Sequence, residues 1–387
     1  MSRKNAVVYW YDGTTYGGIE TSLITFFSLY DRARLQPRFV WANQTKTPRL
    51  ARQLEETGTE QFDLTPPIGV PGDQLRRAAS TLSRLRRLRP DIIHITSCGS
   101  LTQGALVAIA RSLDIPVIRT AHLPFSRWQW NVHAIRSKWG RKVHQWLTSM
   151  VARTVSVSDI DRMELIETGL FEASKCVTIF NGTDVARFRN PLPAAEAKQR
   201  LGLAPDQPTI GLLGRLHPQK QFHQPIAAMR GVLKEHPRAK LLIIGEGPDE
   251  AALREQARSL GVEGAVGFFG CRDDIPQCLP AFDVFAIPSM FESQPLVMHE
   301  GLAAGRAIVA TPLECFVEMI GSSGAAQLTD GSDPEALARA YCDLLGNPAA
   351  RATMGAAALE LVESFTGDLN TRRVLDLYDT VLAERGA

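Results

Sequence analysis

Two cations five residues apart, Arg215 and Lys220, share the segment Gly214-Arg215-Leu216-His217-Pro218-Gln219-Lys220, which follows the strand-like run Thr209–Gly214. A planar guanidinium and a point-charge ammonium in one strand-to-helix loop suit the oxygens of a diphosphate, although a solvated pair on a surface loop uses the same residues. Two carboxylates eight residues apart follow a later strand, in Glu292-Ser293-Gln294-Pro295-Leu296-Val297-Met298-His299-Glu300. With the helix beginning near Pro295, Glu292 falls in the loop and Glu300 well inside the helix, so the two cannot serve as one acid/base pair. The loop acid suits a sugar, the amides of the helix start suit phosphate, and the helix acid suits two vicinal hydroxyls. Near the N-terminus, Asp12-Gly13-Thr14-Thr15-Tyr16-Gly17-Gly18-Ile19-Glu20 sets Gly17 and Gly18 at the opening of a helix. Close backbone approach and free amides favour an anion there. The segment is neither a P-loop nor a dinucleotide fingerprint, and a plain turn fits it as well.

Such loops need strands to hold them. Short β-branched runs alternate with helical patterns along nearly the whole chain, which predicts parallel sheets of βαβ units that bind ligands beyond the carboxyl ends of their strands. The predicted strands are 6–11, 38–42, 91–96, 116–120, 154–157 and 176–180, then 209–214, 240–245, 265–269, 283–287, 307–310 and 327–328. Between the two series, residues 184–208 carry four prolines and an Ala/Glu/Lys stretch without a strand, which reads as a linker. Two doubly wound domains result, over residues 1–186 and 208–364, joined by 187–207. Residues 365–387 form a terminal helix with Leu369, Val374, Leu377, Tyr378 and Val381 at helical spacing.

The 387 residues are 44% hydrophobic and 22% charged, a balance that excludes disordered and fibrous classes. No apolar run approaches the roughly 18 residues of a membrane span, and the start Met1-Ser2-Arg3-Lys4-Asn5 has no signal-peptide cleavage pattern, so the chain reads as cytoplasmic. Six cysteines without a C-x-x-C pair argue against a zinc cluster and a disulfide framework. Charge divides unevenly: the first 190 residues carry 26 Lys and Arg against 16 Asp and Glu, the remainder 17 against 25. A basic first half suggests an anionic contact such as a membrane surface or an acidic acceptor, set against an ordinary solvated face.

The glutamate pair is similar to the E-x7-E motif of the retaining group 1 (family 4) glycosyltransferases of the GT-B fold. Four other segments occur in that family's order: Gly17-Gly18, Thr120-Ala121-His122, Phe180-Asn181-Gly182-Thr183-Asp184 with Phe188, and the Arg215/Lys220 loop. The resemblance implies two Rossmann-like domains facing a central cleft, with the terminal helix crossing back to the first. It also implies a nucleoside-diphosphate sugar held mainly by the second domain. Arg215 and Lys220 would hold the diphosphate, Glu300 the ribose, Glu292 the sugar hydroxyls, and the segment Gln294, Leu296, Val297 the donor at the helix start. Gly245 and Arg272 would belong to neighbouring donor loops, Arg272 against the base. Gly17 and Gly18 would close over the phosphates, and His122 would stand near the sugar.

This sequence departs from the family at Pro295, where glycine is frequent, at Gln221, where glycine commonly follows the lysine, and at His299, usually aliphatic. The resulting expectation is retaining transfer of a hexose or N-acetylhexosamine, from UDP in preference to GDP, to an unidentified acceptor: a glycan, a lipid-linked or a small molecule. A catalytically silent sugar-nucleotide binder and a sugar-nucleotide epimerase are the rivals, since the fold does not settle the chemistry. No cofactor, no metal and no nucleic acid is expected. Asp159-Ile160-Asp161 matches a metal motif superficially, but Ser158 or Asp159 as a helix N-cap is the better reading.

Trp128, Val132, Ile135, Trp139, Val143 and Trp146 recur at helical spacing beside Arg136, Lys138, Arg141 and Lys142. This stripe reads as core, with a helix resting on an anionic bilayer as the alternative and peripheral membrane contact of the basic first domain as its consequence. Arg76, Arg77, Arg84, Arg86, Arg87 and Arg89, around Leu75, Leu82, Leu85 and Leu88, read as a helix with a solvated arginine face.

Overall fold

A computed structural model of the chain describes residues 4–11, 13, 17–42, 46–64, 74–97, 103–124 and 137–386. The β-branched and aromatic runs pair as parallel strands. β1 (Asn5–Tyr11), β2 (Leu35–Trp41), β3 (Glu60–Asp63), β4 (Ile92–Ser97), β5 (Val117–Ala121), β6 (Arg153–Ser156) and β7 (Cys176–Thr178) form a first sheet in the order β3-β2-β1-β4-β5-β6-β7. β8 (Thr209–Leu213), β9 (Lys240–Ile244), β10 (Val266–Phe268), β11 (Val284–Ile287), β12 (Ala307–Ala310) and β13 (Ala326–Leu328) form a second, in the order β10-β9-β8-β11-β12-β13. The chain divides into two units: residues 1–182 with 367–387, and residues 183–366.

Both faces of the first sheet are covered, which is why its strands are apolar without alternation. Val8, Trp10, Ile93 and Ile95 pack with Leu85 of the helix Gln74–Leu88 and Leu106 of the helix Gly104–Ser112. On the other face, Val7, Tyr9, Phe39 and Trp41 meet Phe26 and Phe27 of the helix Gly18–Leu29, together with Leu375, Tyr378 and Val381 of the last helix, Gly367–Gly386. In the second unit Ile210, Leu212, Leu241, Ile243, Val284 and Ala286 pack with Met229 and Tyr341. Each of these large side chains contributes about 1.5–3 kcal/mol by leaving water.

Strand order reverses between β1 and β4 in the first sheet and between β8 and β11 in the second. Adjacent strands whose connections leave in opposite directions open a crevice at their carboxyl ends. The loops after β8 and β11 hold Arg215, Lys220 and Glu292, so the second switch point lies where the cations and the loop acid stand.

Three expectations change. β3, Glu-Gln-Phe-Asp, carries no run of strand-forming residues, but an edge strand needs only one partner, and it pairs with β2 from Arg38↔Glu60 to Trp41↔Asp63. Residues 187–207 are not a tether: the prolines flank a helix, Ala194–Arg200, that lies within the second unit. Lys198 is buried there, with its Nζ 2.8 Å from Asp283 Oδ2. Finally, Trp139 and Trp146 on the helix Lys138–Ser149 are not core, being 76% and 59% exposed. Of the rest of that stripe, Val143 is half-buried, and Trp128, Val132 and Ile135, with Arg136 beside them, lie outside the described residues. The arginine-bearing helix is exposed at Arg76, Arg86 and Arg87 and seats Leu85 inward, as its spacing predicts, but Arg77 and Arg84 are half-buried, Leu75 is 84% exposed, and exposed Arg89 lies just beyond the helix.

Candidate active site

After β8, Gly214 turns the chain at φ +143° and Leu216 buries its side chain. Arg215 between them is left exposed. His217 then caps a short 3-10 turn, Pro218–Lys220, by accepting from the Gln219 amide. Burial, followed by the positive charges of Arg215 and Lys220, holds the His217 imidazole below its ordinary range. Both cations are therefore felt at one point. The turn ends at Gln221 with φ +50°. That left-handed conformation explains why glycine is common after the lysine in the resembling family, and glutamine accepts it here at a cost of about 1 kcal/mol.

The Lys220 Nζ stands 2.5 Å from Glu292 Oε1, with side chains only 16% and 8% exposed. Gln219 ties the same two loops, its Nε2 donating to the Phe291 carbonyl at 2.9 Å and its carbonyl accepting from the Met290 amide at 2.8 Å. The cation and the loop acid assigned separately from the sequence are thus one ion pair. Pro295 is the extended N-cap, not the first helical residue, and the helix is Leu296–Ala303. Its opening amides, at Leu296 and Val297, precede the intrahelical bonds, while Glu300 lies a turn inside. Gln294, ahead of the cap, is buried.

The sequence reading missed Ser289 and Ser293. Both are buried, and neither hydroxyl has a hydrogen-bond partner among the described residues. A buried hydroxyl costs free energy unless something pairs with it, so both are unexplained polar groups beside the Lys220–Glu292 pair. The signal available was small polar residues between a strand and a helix, which is too common to single them out. His299, in contrast, is fully buried against the Phe365 ring at 5.1 Å, and burial pushes its pKa down to about 3. It is a neutral packing residue.

Gly245 has a structural reason of its own: its φ is +143°, and a Cβ would come within 1.9 Å of the Gly214 carbonyl oxygen. Its amide donates to Gly270 at 2.8 Å, which stacks the loops after β8, β9 and β10. Arg272 is held edge-on by Asp274, with Nε to Oδ1 at 2.8 Å and Nη2 to Oδ2 at 2.7 Å, and this pairing raises its pKa. An arginine fixed along its edge keeps its flat face for stacking on a base.

In the first unit, Gly17 precedes the helix Gly18–Leu29, and its amide donates to Glu20 Oε2 at 2.6 Å. One amide expected to face a phosphate is therefore already taken by an internal carboxylate, whereas a Cβ on Gly18 would meet nothing within 4 Å among the described residues. His122 follows β5. It lines a cavity of about 50 Å³ with His94, Thr96, Thr120, Asn181 and Asn370. Its Nε2 is buried without a partner among the described residues, and burial pushes its pKa down to about 4. Behind it runs a chain that sequence reasoning did not find: Thr120 Oγ1 to His94 Nε2 at 2.7 Å, His94 Nδ1 to Tyr378 Oη at 2.5 Å, and Tyr378 Oη to Tyr9 Oη at 2.5 Å. Burial, with the charge of His122 adding to it, pushes His94 down to about 3.

Ser158 caps the helix Asp159–Glu167 by accepting from the Asp161 amide at 3.1 Å, and Asp159 accepts from Arg162 and from Thr178. No group of three metal-ligating side chains occurs among the described residues, and no described helix is long and apolar enough to cross a membrane.

Two family profiles match in succession: Glycosyltransferase Family 4 over residues 16–187 and Glycosyl transferases group 1 over residues 194–361. Glycogen synthase of Mycobacterium tuberculosis is 30% identical over 306 residues, which is 76% of this chain and 70% of that protein. Phosphatidyl-myo-inositol mannosyltransferase of Mycolicibacterium smegmatis is 32% identical over 231 residues, 59% of this chain and 57% of that protein. Among solved structures, Anabaena HepE in complex with UDP and glucose superposes with a TM-score of 0.81 at 19% identity, covering 97% of this chain and 100% of that one. A Rickettsia africae glycosyltransferase gives 0.81 at 19% identity, covering 98% and 99%. With its two switch-point sheets and its paired loop glutamate and lysine, the chain belongs to the group 1 glycosyltransferases of the GT-B fold.

Proposed function

We propose that this chain transfers a hexose or N-acetylhexosamine from a nucleoside-diphosphate sugar to an acceptor hydroxyl, with retention and without a metal. The observation that carries the reading is the Lys220–Glu292 pair at the switch point of the second sheet, with exposed Arg215 in the same loop. Breaking a glycosyl–phosphate bond develops negative charge on the departing diphosphate, and fixed cations and dipoles lower that barrier. Arg215, Lys220 and the amides of Leu296 and Val297 supply them. Glu300 holds the ribose hydroxyls, Arg272 stacks on the base, and Glu292 accepts from the sugar while keeping Lys220 in place. Gln294 and the hydroxyls of Ser289 and Ser293 complete the donor's polar contacts. From the first unit, the family resemblance assigns His122, neutral at working pH, to the sugar and the Gly17-Gly18 turn to the phosphates, with Gly18 left as the amide not held by Glu20.

UDP is the favoured nucleotide, a choice supported by HepE, which was crystallised with UDP and glucose. Attack from the leaving-group face is favoured, with a donor phosphate oxygen taking the acceptor's proton, because no carboxylate in these motifs is placed as a covalent nucleophile. The basic first unit is the part read to bind the acceptor. The test is product NMR with an α-linked donor, run beside an EDTA titration of the rate. An α-glycoside formed at an unchanged rate is expected. A β-linked product overturns retention, and activity lost in EDTA and restored by magnesium or manganese overturns metal independence. A donor bound but never turned over, with any acceptor offered, would leave a silent sugar-nucleotide binder.

A further inference from the structure

Among the described residues, the helix Lys138–Ser149 is fixed to the first unit along one side. Thr148 Oγ1 donates to the Leu170 carbonyl at 2.5 Å, Gln145 Nε2 to the Gly169 carbonyl at 2.8 Å, and Arg141 Nη2 to the Thr168 carbonyl at 2.8 Å. Leu147 lies against Gly104, and His144 and Thr148 are buried. The opposite side carries Lys138, Trp139, Lys142, Trp146 and Ser149, all exposed. Trp139, Lys142 and Trp146 follow one another at the spacing of a single helical stripe.

Two outward indoles with a lysine between them need a reason, since a solvent-facing helix ordinarily spends such positions on polar residues. The surrounding sequence supplies a second, independent observation. From Ile115 to Ser158 there is no aspartate or glutamate, while the same stretch holds seven of the chain's Lys and Arg and four of its six tryptophans. An interfacial helix combines basic residues for anionic headgroups with tryptophans that sit at headgroup depth, and this stretch has both.

We propose that the helix Lys138–Ser149 docks the protein on an anionic lipid bilayer, with Trp139 and Trp146 entering the headgroup layer and Lys138 and Lys142 meeting acidic lipids. Docking requires neither donor nor acceptor, so it stands apart from the transfer reaction. It places the first unit, on which acceptors are read to bind, at the membrane plane.

Flotation of the full chain with vesicles tests this, using phosphatidylcholine alone and phosphatidylcholine mixed with phosphatidylglycerol. Uptake by the mixed vesicles, weakened by salt and accompanied by a blue shift of indole emission, is expected. Trp139→Ala with Trp146→Ala should lower partitioning on the order of tenfold. Lys138→Glu with Lys142→Glu should lower it at least about fivefold for each cation. All four side chains are exposed, so thermal midpoints should stay at the parent's value. The proposal is overturned by no uptake of the parent at low salt, by equal uptake of parent and tryptophan variant, or by indole changes that follow protein concentration or added RNA instead of vesicles.

Discussion

Lys220 and Glu292 neutralise each other as an ion pair, so each conditions what the other can do. A diphosphate arriving at Lys220 competes with a carboxylate 2.5 Å away. Removing that carboxylate leaves a nearly buried cation seeking an anion. Glu292→Gln should therefore bind free nucleoside diphosphate at least as tightly as the parent while transfer falls, whereas Glu300→Gln should weaken that binding. Calorimetry with the diphosphate alone separates the two, and a matching loss of affinity in both variants would show the roles to be wrongly divided. Arg215→Ala and Lys220→Ala should each lower kcat/KM by about 2–4 kcal/mol of transition-state stabilisation. Values within threefold of the parent would remove both residues from leaving-group chemistry. The charged members of this site were legible because charge, spacing and a preceding strand are all linear properties. Ser289 and Ser293 were not, because burial without a partner is a property of three dimensions. Tyr9, His94 and Tyr378 were equally hidden, as their hydrogen bonds join residues up to 369 positions apart.

At the scale of elements, the helix Leu296–Ala303 presents its start to the site and buries His299 at its back. That histidine, like His94 and His122, is held neutral by burial, with a folded pKa of about 3 against an ordinary 6.5. The unfolded chain then binds more protons than the folded one between those values. Stability is full above the unfolded pKa and is lost as pH falls below it, by up to about 1.4 kcal/mol per pH unit for each histidine, until the folded pKa is reached. Chemical denaturation near pH 7 and near pH 5 should show this loss, and His299→Leu should reduce it by about one histidine's share. An unchanged pH slope would mean that His299 is not excluded from water. Most elements could be read from hydrophobic period. β3 could not, since its four residues earn their place through β2. Nor could the outward turn of Trp139 and Trp146, because a periodic stripe states that a helix is amphipathic but not which medium its apolar face meets.

On the scale of the whole molecule, the segment read as a tether is part of a folding unit. Lys198 reaches Asp283, which also accepts from the Thr209 amide at 2.8 Å, so this short helix is bolted to the base of the second sheet. Lys198→Ala should destabilise the second unit by about 2–3 kcal/mol, below the full value for a broken buried pair because Asp283 keeps the Thr209 amide. Urea denaturation measures it. A change under about 0.5 kcal/mol, the range of ordinary surface substitutions, would restore the tether reading.

The first unit is discontinuous, closed by residues 367–387 that are translated after the whole of the second unit. During synthesis Tyr9, Phe26 and Phe27 must therefore wait, without Leu375, Tyr378 and Val381 to cover their side of the sheet, until the ribosome has made the whole of the second unit. The second unit has no such debt and can fold as it emerges. The order of assembly thus runs against the order of the chain, and the nascent first half is the part whose apolar face stays open longest.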